Sequence, residues 1–127
     1  MGIHRRRRTR TGRLVNPKRG ALYWVRFDPA IGFDAAQTRP ALVVSSDANN
    51  KAMLTLSVVP LTSSVKRLYP FEVFLEASES KLPKDSKIQT QQIRTVSHER
   101  LNDLIGEVSE QTMILVGEAL KLHLQLT

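Results

Sequence analysis

Two residues stand where phosphate chemistry could use them. Arg39 sits just ahead of the apolar run at 40–45, and Thr62 closes the run at 54–61. A guanidinium offers a planar fork of donors matched to a phosphate, and it fixes positive charge where negative charge develops. A threonine hydroxyl can donate to a phosphoryl oxygen. Taken alone, each also has an ordinary reading: Arg39 as a strand-start arginine in a surface ion pair, Thr62 as a turn residue. Ser63 is a weaker companion hydroxyl. Asp34 could accept a proton, hold Arg39 in place, or be a solvated loop acid. Arg19 could contact phosphate or stabilise its loop. Lys66 and Arg67 could supply local positive charge or be ordinary exposed residues. Gln92 could read a base edge or pair within a sheet.

Other chemistries find little support. The chain has no Cys, so it has no disulfide framework, thiolate metal site or cysteine nucleophile. Three scattered His make a metal site unexpected, and no cofactor is implied. His98 and His123 invite a two-histidine ribonuclease, but nothing in their spacing brings them together. Solvated positions are expected for both, His98 in a turn and His123 on a terminal helix. Tyr23 and Trp24 could stack bases, although strand aromatics at this spacing read as core.

The net charge of +7 invites a nucleic-acid reading. Six Arg, at positions 5, 6, 7, 8, 10 and 13, lie in residues 1–17 with no acid among them. Without those six the net charge of +7 falls to +1 for residues 18–127. Any RNA site on the body must therefore be a local patch. Residues 1–17 read as a solvated basic tail, either an RNA tether or an extension without a role. No apolar run reaches the ~20 residues of a membrane helix, and no apolar stretch follows the N-terminal charges as in a secretory signal. The expectation is a cytoplasmic protein, with 18–127 forming one domain.

The elements that must position these residues are mostly strands. Residues 21–27 (ALYWVRF) are aromatic and β-branched, bounded by Gly20 and Asp28-Pro29. Residues 40–45 (PALVVS) have the length and apolarity of a fully buried strand. Residues 46–52 look turn-like. Residues 54–61 (LTLSVVPL) form a strand in which Pro60 must lie at the end or on an edge. Residues 70–75 alternate, 81–84 turn, 86–96 hold two short strands or a bent one, and 104–108 add another. Ser109 is a good N-cap, and Met113, Val116, Leu120 and Leu124 make a helical stripe. Residues 120–126 also alternate like a strand, but length and cap favour a helix from Glu110. Together these predict a small, mainly β, twisted antiparallel barrel of five to seven strands with a C-terminal helix.

The ordered blocks Lys18-Arg19-Gly20, Tyr23-Trp24-Val25, Arg39-Pro40-Ala41-Leu42-Val43-Val44, Val59-Pro60-Leu61-Thr62-Ser63 and Gln92-Ile93-Arg94-Thr95-Val96 resemble those of MazF/PemK toxins. The resemblance spans roughly residues 18–126. It implies an SH3-like barrel, a homodimer that buries part of the apolar surplus of the C-terminal helix, and metal-independent cleavage of single-stranded RNA. It also implies a cognate, acidic antitoxin. Arg39 and Thr62 become the catalytic pair, with Asp34 and Ser63 in support and Arg19, Lys66, Arg67 and Gln92 toward RNA. Asp34 stands where the family usually has Glu. Two other readings share the fold: a CcdB-like DNA gyrase poison, and a barrel that binds RNA without cutting it. The gyrase poisons depend on a Trp-Gly-Ile chain end, whereas this chain ends Leu124-Gln125-Leu126-Thr127.

Overall fold

The computed structural model describes residues 17–27 and 38–126. Residues 1–16, with the basic tail expected there, residues 28–37, with Asp34, and Thr127 lie outside the described residues.

Among the described residues, seven antiparallel strands form: β1 (Ala21–Arg26), β2 (Thr38–Val43), β3 (Thr55–Thr62), β4 (Glu72–Leu75), β5 (Ser86–Gln89), β6 (Arg94–Ser97) and β7 (Leu101–Glu107). Three helices accompany them: α1 (Asp47–Ala52), α2 (Ala77–Ser80) and α3 (Glu110–Leu124). The pairing runs β4-β5-β3-β2-β1-β7, with β6 also on β3. The sheet ends on β4 and β7, so it curls without closing.

β1, β2 and β3 are apolar on both faces because both faces are covered. Tyr23, Val25, Ala41, Val43 and Val58 pack on one side. Leu22, Leu42, Val59 and Leu61 pack on the other, under Val116 and Ala119 of α3. A strand buried on both faces loses the polar alternation of a half-exposed one.

β5 and β6 are one strand interrupted. β6 pairs with β3 from Thr55↔Ser97 to Val58↔Arg94, and β5 pairs from Leu61↔Ile88 to Thr62↔Lys87. The 3₁₀ turn Thr90–Gln92 separates them. Both alternatives read for 86–96 thus hold, as two strands on one line. Pro60 differs from expectation: it pairs with Ala41 inside the sheet. It falls between the two stretches of β3 that pair with β6 and β5, where the ladder asks for no N–H donor.

Residues 46–52 are a short helix rather than a turn. The Ser46 hydroxyl accepts the Asn49 N–H at 3.1 Å, and buried Asn50 exchanges hydrogen bonds with Ser45. α2 was not legible in the sequence; Lys81, at φ 66°, ends it in the left-handed region. α3 begins at Glu110 as expected. Its cap is double: the Ser109 hydroxyl accepts the Thr112 N–H at 3.1 Å, while Glu79 of α2 accepts from the Ser109 N–H at 2.9 Å and the Thr112 hydroxyl at 2.8 Å. The Ser109 amide bond is the main reason the Glu79 carboxyl is held below the usual range. The stripe on α3 is shifted, with Val116 and Ala119 buried and Leu124 exposed.

A buried ion pair lies between β4 and β5. Lys87 Nζ and Glu72 Oε1 are 2.9 Å apart, with the Glu72 side chain 1% exposed. Burial pushes the Glu72 carboxyl up, but hydrogen bonds from the Tyr69 amide, Gln91 and Lys87 outweigh it and hold the group below its usual range. A carboxyl lowered in the folded state stabilises fully above its unfolded pKa, about 4.3, and loses that contribution as the pH falls through its folded value. Glu72→Gln strands the Lys87 charge, so it should cost about 3 kcal/mol at neutral pH. Urea unfolding of both proteins should show this gap narrowing from pH 7 to pH 3; a gap that ignores pH refutes the role given to Glu72. Ser109→Ala should cost about 1 kcal/mol in the same assay, the usual loss of an N-cap.

Candidate functional site

The register of β1, β2 and β3 brings the two leading residues together. Arg39 stands opposite Val25 on β1, and Ala41 stands opposite Pro60 on β3. Two further steps along the β2–β3 register set Arg39 across from Thr62. Both line one open pocket of about 410 Å³. Trp24 and Pro40 line it from β1 and β2, and Leu61 and Ser63 from the end of β3. The fourth wall is the segment after α2, with Leu82, Pro83, Lys84 and Ser86.

Each wall has a local cause. The Thr62 hydroxyl accepts the Ser64 N–H at 3.2 Å, which orients the oxygen and leaves its proton to be donated. Leu82 is buried against the α3-covered core, and its N–H donates to the Ser80 hydroxyl at 3.0 Å. Asp85 accepts the Ala77 N–H at 2.9 Å, tying the segment to the start of α2. Trp24, read as core from the sequence, is 37% exposed, whereas Tyr23 beside it is buried. The alternation of β1 turns Tyr23 into the core and Trp24 toward the pocket.

Among the described residues, the charged groups that line this pocket are Arg39 and Lys84. A larger groove of about 640 Å³ lies at the other end of β1, against α3. Four acids, Asp47, Glu107, Glu110 and Glu118, line that groove against Arg19 and Lys121. A polyanion is repelled there and attracted to the smaller pocket, so size is a poor guide to the site.

The remaining sequence candidates disperse. Arg19 belongs to the acidic groove: its N–H donates to Asp47 at 2.8 Å, and its guanidinium donates to the Val44 carbonyl. Gln92 is exposed in the 3₁₀ turn and is not among the pocket's lining residues. Lys66 is exposed in the loop after Thr62, and Arg67 there donates to the Tyr69 hydroxyl at 3.0 Å. His98 is buried at 5% exposure, not solvated, because the 3₁₀ turn at His98–Arg100 folds it inward. It adjoins the first residue of β3, roughly 20 Å along the strand from Thr62. His123 meets the edge of Phe71 at 6.1 Å. Lys84 and the 82–86 wall were missed; the available signal was the basic residue in the turn Leu82-Pro83-Lys84. Among the described residues, no group of three or more His, Asp or Glu is placed to hold a metal ion. No helix among them is long and apolar enough to cross a membrane.

Comparison with known proteins places this geometry. Residues 18–124 match the family model described as PemK-like, MazF-like toxin of type II toxin–antitoxin system. The chain is 44% identical over 114 residues to "Endoribonuclease MazF9" of Mycobacterium tuberculosis, covering 86% of this chain and 97% of that one. It is 33% identical over 110 residues to "Endoribonuclease EndoA" of Bacillus subtilis, covering 86% and 95%. Among solved structures, MazF from Deinococcus radiodurans superposes with a TM-score of 0.73 at 28% identity, covering 87% of this chain and 98% of that one. A mycobacterial endoribonuclease in complex with its cognate antitoxin gives 0.71 at 29% identity, covering 87% and 97%. With a family model matched from the first described strand to the end of α3, and relatives matched over nearly their own full lengths, this chain belongs to the PemK-like, MazF-like toxins of type II toxin–antitoxin systems.

Proposed function

We propose that this chain is an endoribonuclease toxin that cuts single-stranded RNA at short sequences, without a metal, and so blocks translation and growth. The observation that carries the reading is Arg39 and Thr62 together in one pocket, with Lys84 beside them. RNA carries its own nucleophile. The 2′-oxygen attacks the adjacent phosphorus in line, its proton leaves, the bond from phosphorus to the 5′-oxygen breaks, and that oxygen takes up a proton. The products are a 2′,3′-cyclic phosphate and a 5′-hydroxyl. The protein must hold the phosphate and stabilise charge on its non-bridging oxygens as the new bond forms.

Arg39 supplies the fork of donors for those oxygens, and the Thr62 hydroxyl supplies one more. Ser63 and Lys84 stand beside them for the flanking phosphates. A guanidinium is a poor base, so Arg39 is assigned charge stabilisation. Asp34, which lies between β1 and β2 in sequence, is assigned as acceptor of the 2′-proton or as the group that steadies Arg39. Lys66 and Arg67, exposed on the loop after Thr62, are assigned to the RNA strand as it leaves the pocket. Gln92 and Arg19 take no part in the pocket.

An acidic antitoxin segment suits the same pair of cations, Arg39 and Lys84, since it presents carboxylates where RNA presents phosphates. A second copy of the chain suits the exposed apolar side of α3, where Ile114, Leu115 and Leu122 are each about half exposed. A cytoplasmic location accords with an mRNA substrate.

The test is cleavage of a long single-stranded RNA in the presence of EDTA, with the new 5′ ends mapped. Wild type should cut at one recurring short sequence and leave 5′-hydroxyl ends. Arg39→Ala should slow cutting by about 10³-fold and Thr62→Ala by about 10²-fold, the scale of losing one preorganised donor at developing charge. An uncut RNA in wild-type reactions, or cutting that stops when EDTA is added, defeats the proposal.

A further inference from the structure

The catalytic loop after β3 has an anchor inside the sheet. From Ser63 to Pro70 every residue is exposed, so this loop has no core of its own. Segments with few buried contacts open easily unless something pins them. The pin comes from β5. Lys87 stands directly opposite Thr62 in the β3–β5 register. Its buried ammonium donates to the Arg67 carbonyl at 2.6 Å and to Glu72 at 2.9 Å. Glu72 in turn accepts the Tyr69 N–H at 2.9 Å and the Gln91 amide at 2.7 Å. The Tyr69 ring lies 5.6 Å from the Arg67 guanidinium and 5.7 Å from the Lys87 ammonium. The buried cation opposite Thr62 therefore touches the middle of the loop at Arg67, its last turn at Tyr69, and β4 at Glu72.

Stability alone does not call for this arrangement. A buried ion pair often contributes no more than apolar side chains of the same volume would. What the pair supplies is geometry, because three hydrogen bonds converge on two loop residues and the strand after them. We propose that Lys87, paired with Glu72, is a positioning residue that holds the 63–71 loop in the shape that presents Ser63 and Arg67 to an RNA strand lying across Thr62. The proposal rests on the endoribonuclease reading above. It makes the loop, through Lys87, a determinant of which RNA sequences are cut.

Lys87→Met alone strands the Glu72 carboxylate and can unfold the protein, so the informative variant is Lys87→Met with Glu72→Gln, which removes both charges at similar volume. Three quantities are measured on the full chain: the urea midpoint, hydrogen exchange of residues 63–71, and kcat, KM and cut-site distribution on the RNA used above. The double variant should unfold near the wild-type midpoint and exchange faster in the loop. Its kcat/KM at the preferred sequence should fall about 10- to 100-fold, the scale of a misplaced reacting group, and cutting should spread to other sequences. Lys87→Arg, which keeps a charged donor, should recover part of the selectivity. A folded double variant with wild-type kcat/KM and cut-site distribution overturns the anchor while leaving the endoribonuclease reading intact. Wild-type protein that does not cut RNA overturns both.

Discussion

The eight residues of β3 must satisfy neighbours on four sides at once. One edge carries β2, and the other carries β6 and then β5. One face packs into the core shared with β1 and β2, the other into the core beneath α3. This double burial explains the composition Thr-Leu-Ser-Val-Val-Pro-Leu-Thr, with polar residues only toward the ends and at Ser57. It also explains how a proline is tolerated inside the sheet, at the gap between two partners. A strand so constrained cannot slip by a residue without exchanging its two cores.

The site inherits that rigidity. Thr62 is the last residue of β3, and Arg39 is the second residue of β2, so both stand at the rim of the sheet while their strands stay fixed within it. Side chains on regular elements hold reacting geometry better than side chains on loops. The electrostatics follow from the same placement. Positive charge gathers at the Thr62 end, and acids gather at the Arg19 end of β1. A nearly neutral body thus presents two surfaces of opposite preference, which matters more for an RNA ligand than the net charge does.

Two polar ties join segments distant in sequence. Glu79 caps α3 across thirty residues of chain, and Lys87 reaches back to Arg67 across twenty. In each, the carboxylate at the centre accepts from more than one donor, which offsets the cost of taking it out of water. The first fixes the helix that covers one core. The second fixes the loop that leaves the site.

The sequence by itself determined the strands, the helix from Ser109, and the positions of an arginine before one apolar run and a threonine after another. These are local matters: periodicity, β-branching, capping and turn residues are set by neighbours a few positions away. Only the tertiary structure decided the rest. Trp24 faces a pocket and Tyr23 the core because the curl of the sheet covers one face of β1 at that point and opens the other. His98 is buried because a 3₁₀ turn folds it inward. Arg19 holds the Val44 carbonyl instead of lining the pocket because β1 carries it to the opposite end of the sheet. Glu72 and Lys87 meet in the interior because the β4–β5 register sets them within reach of each other. Long-range register and the partner each charge finds are properties of the packed chain, and no local pattern encodes them.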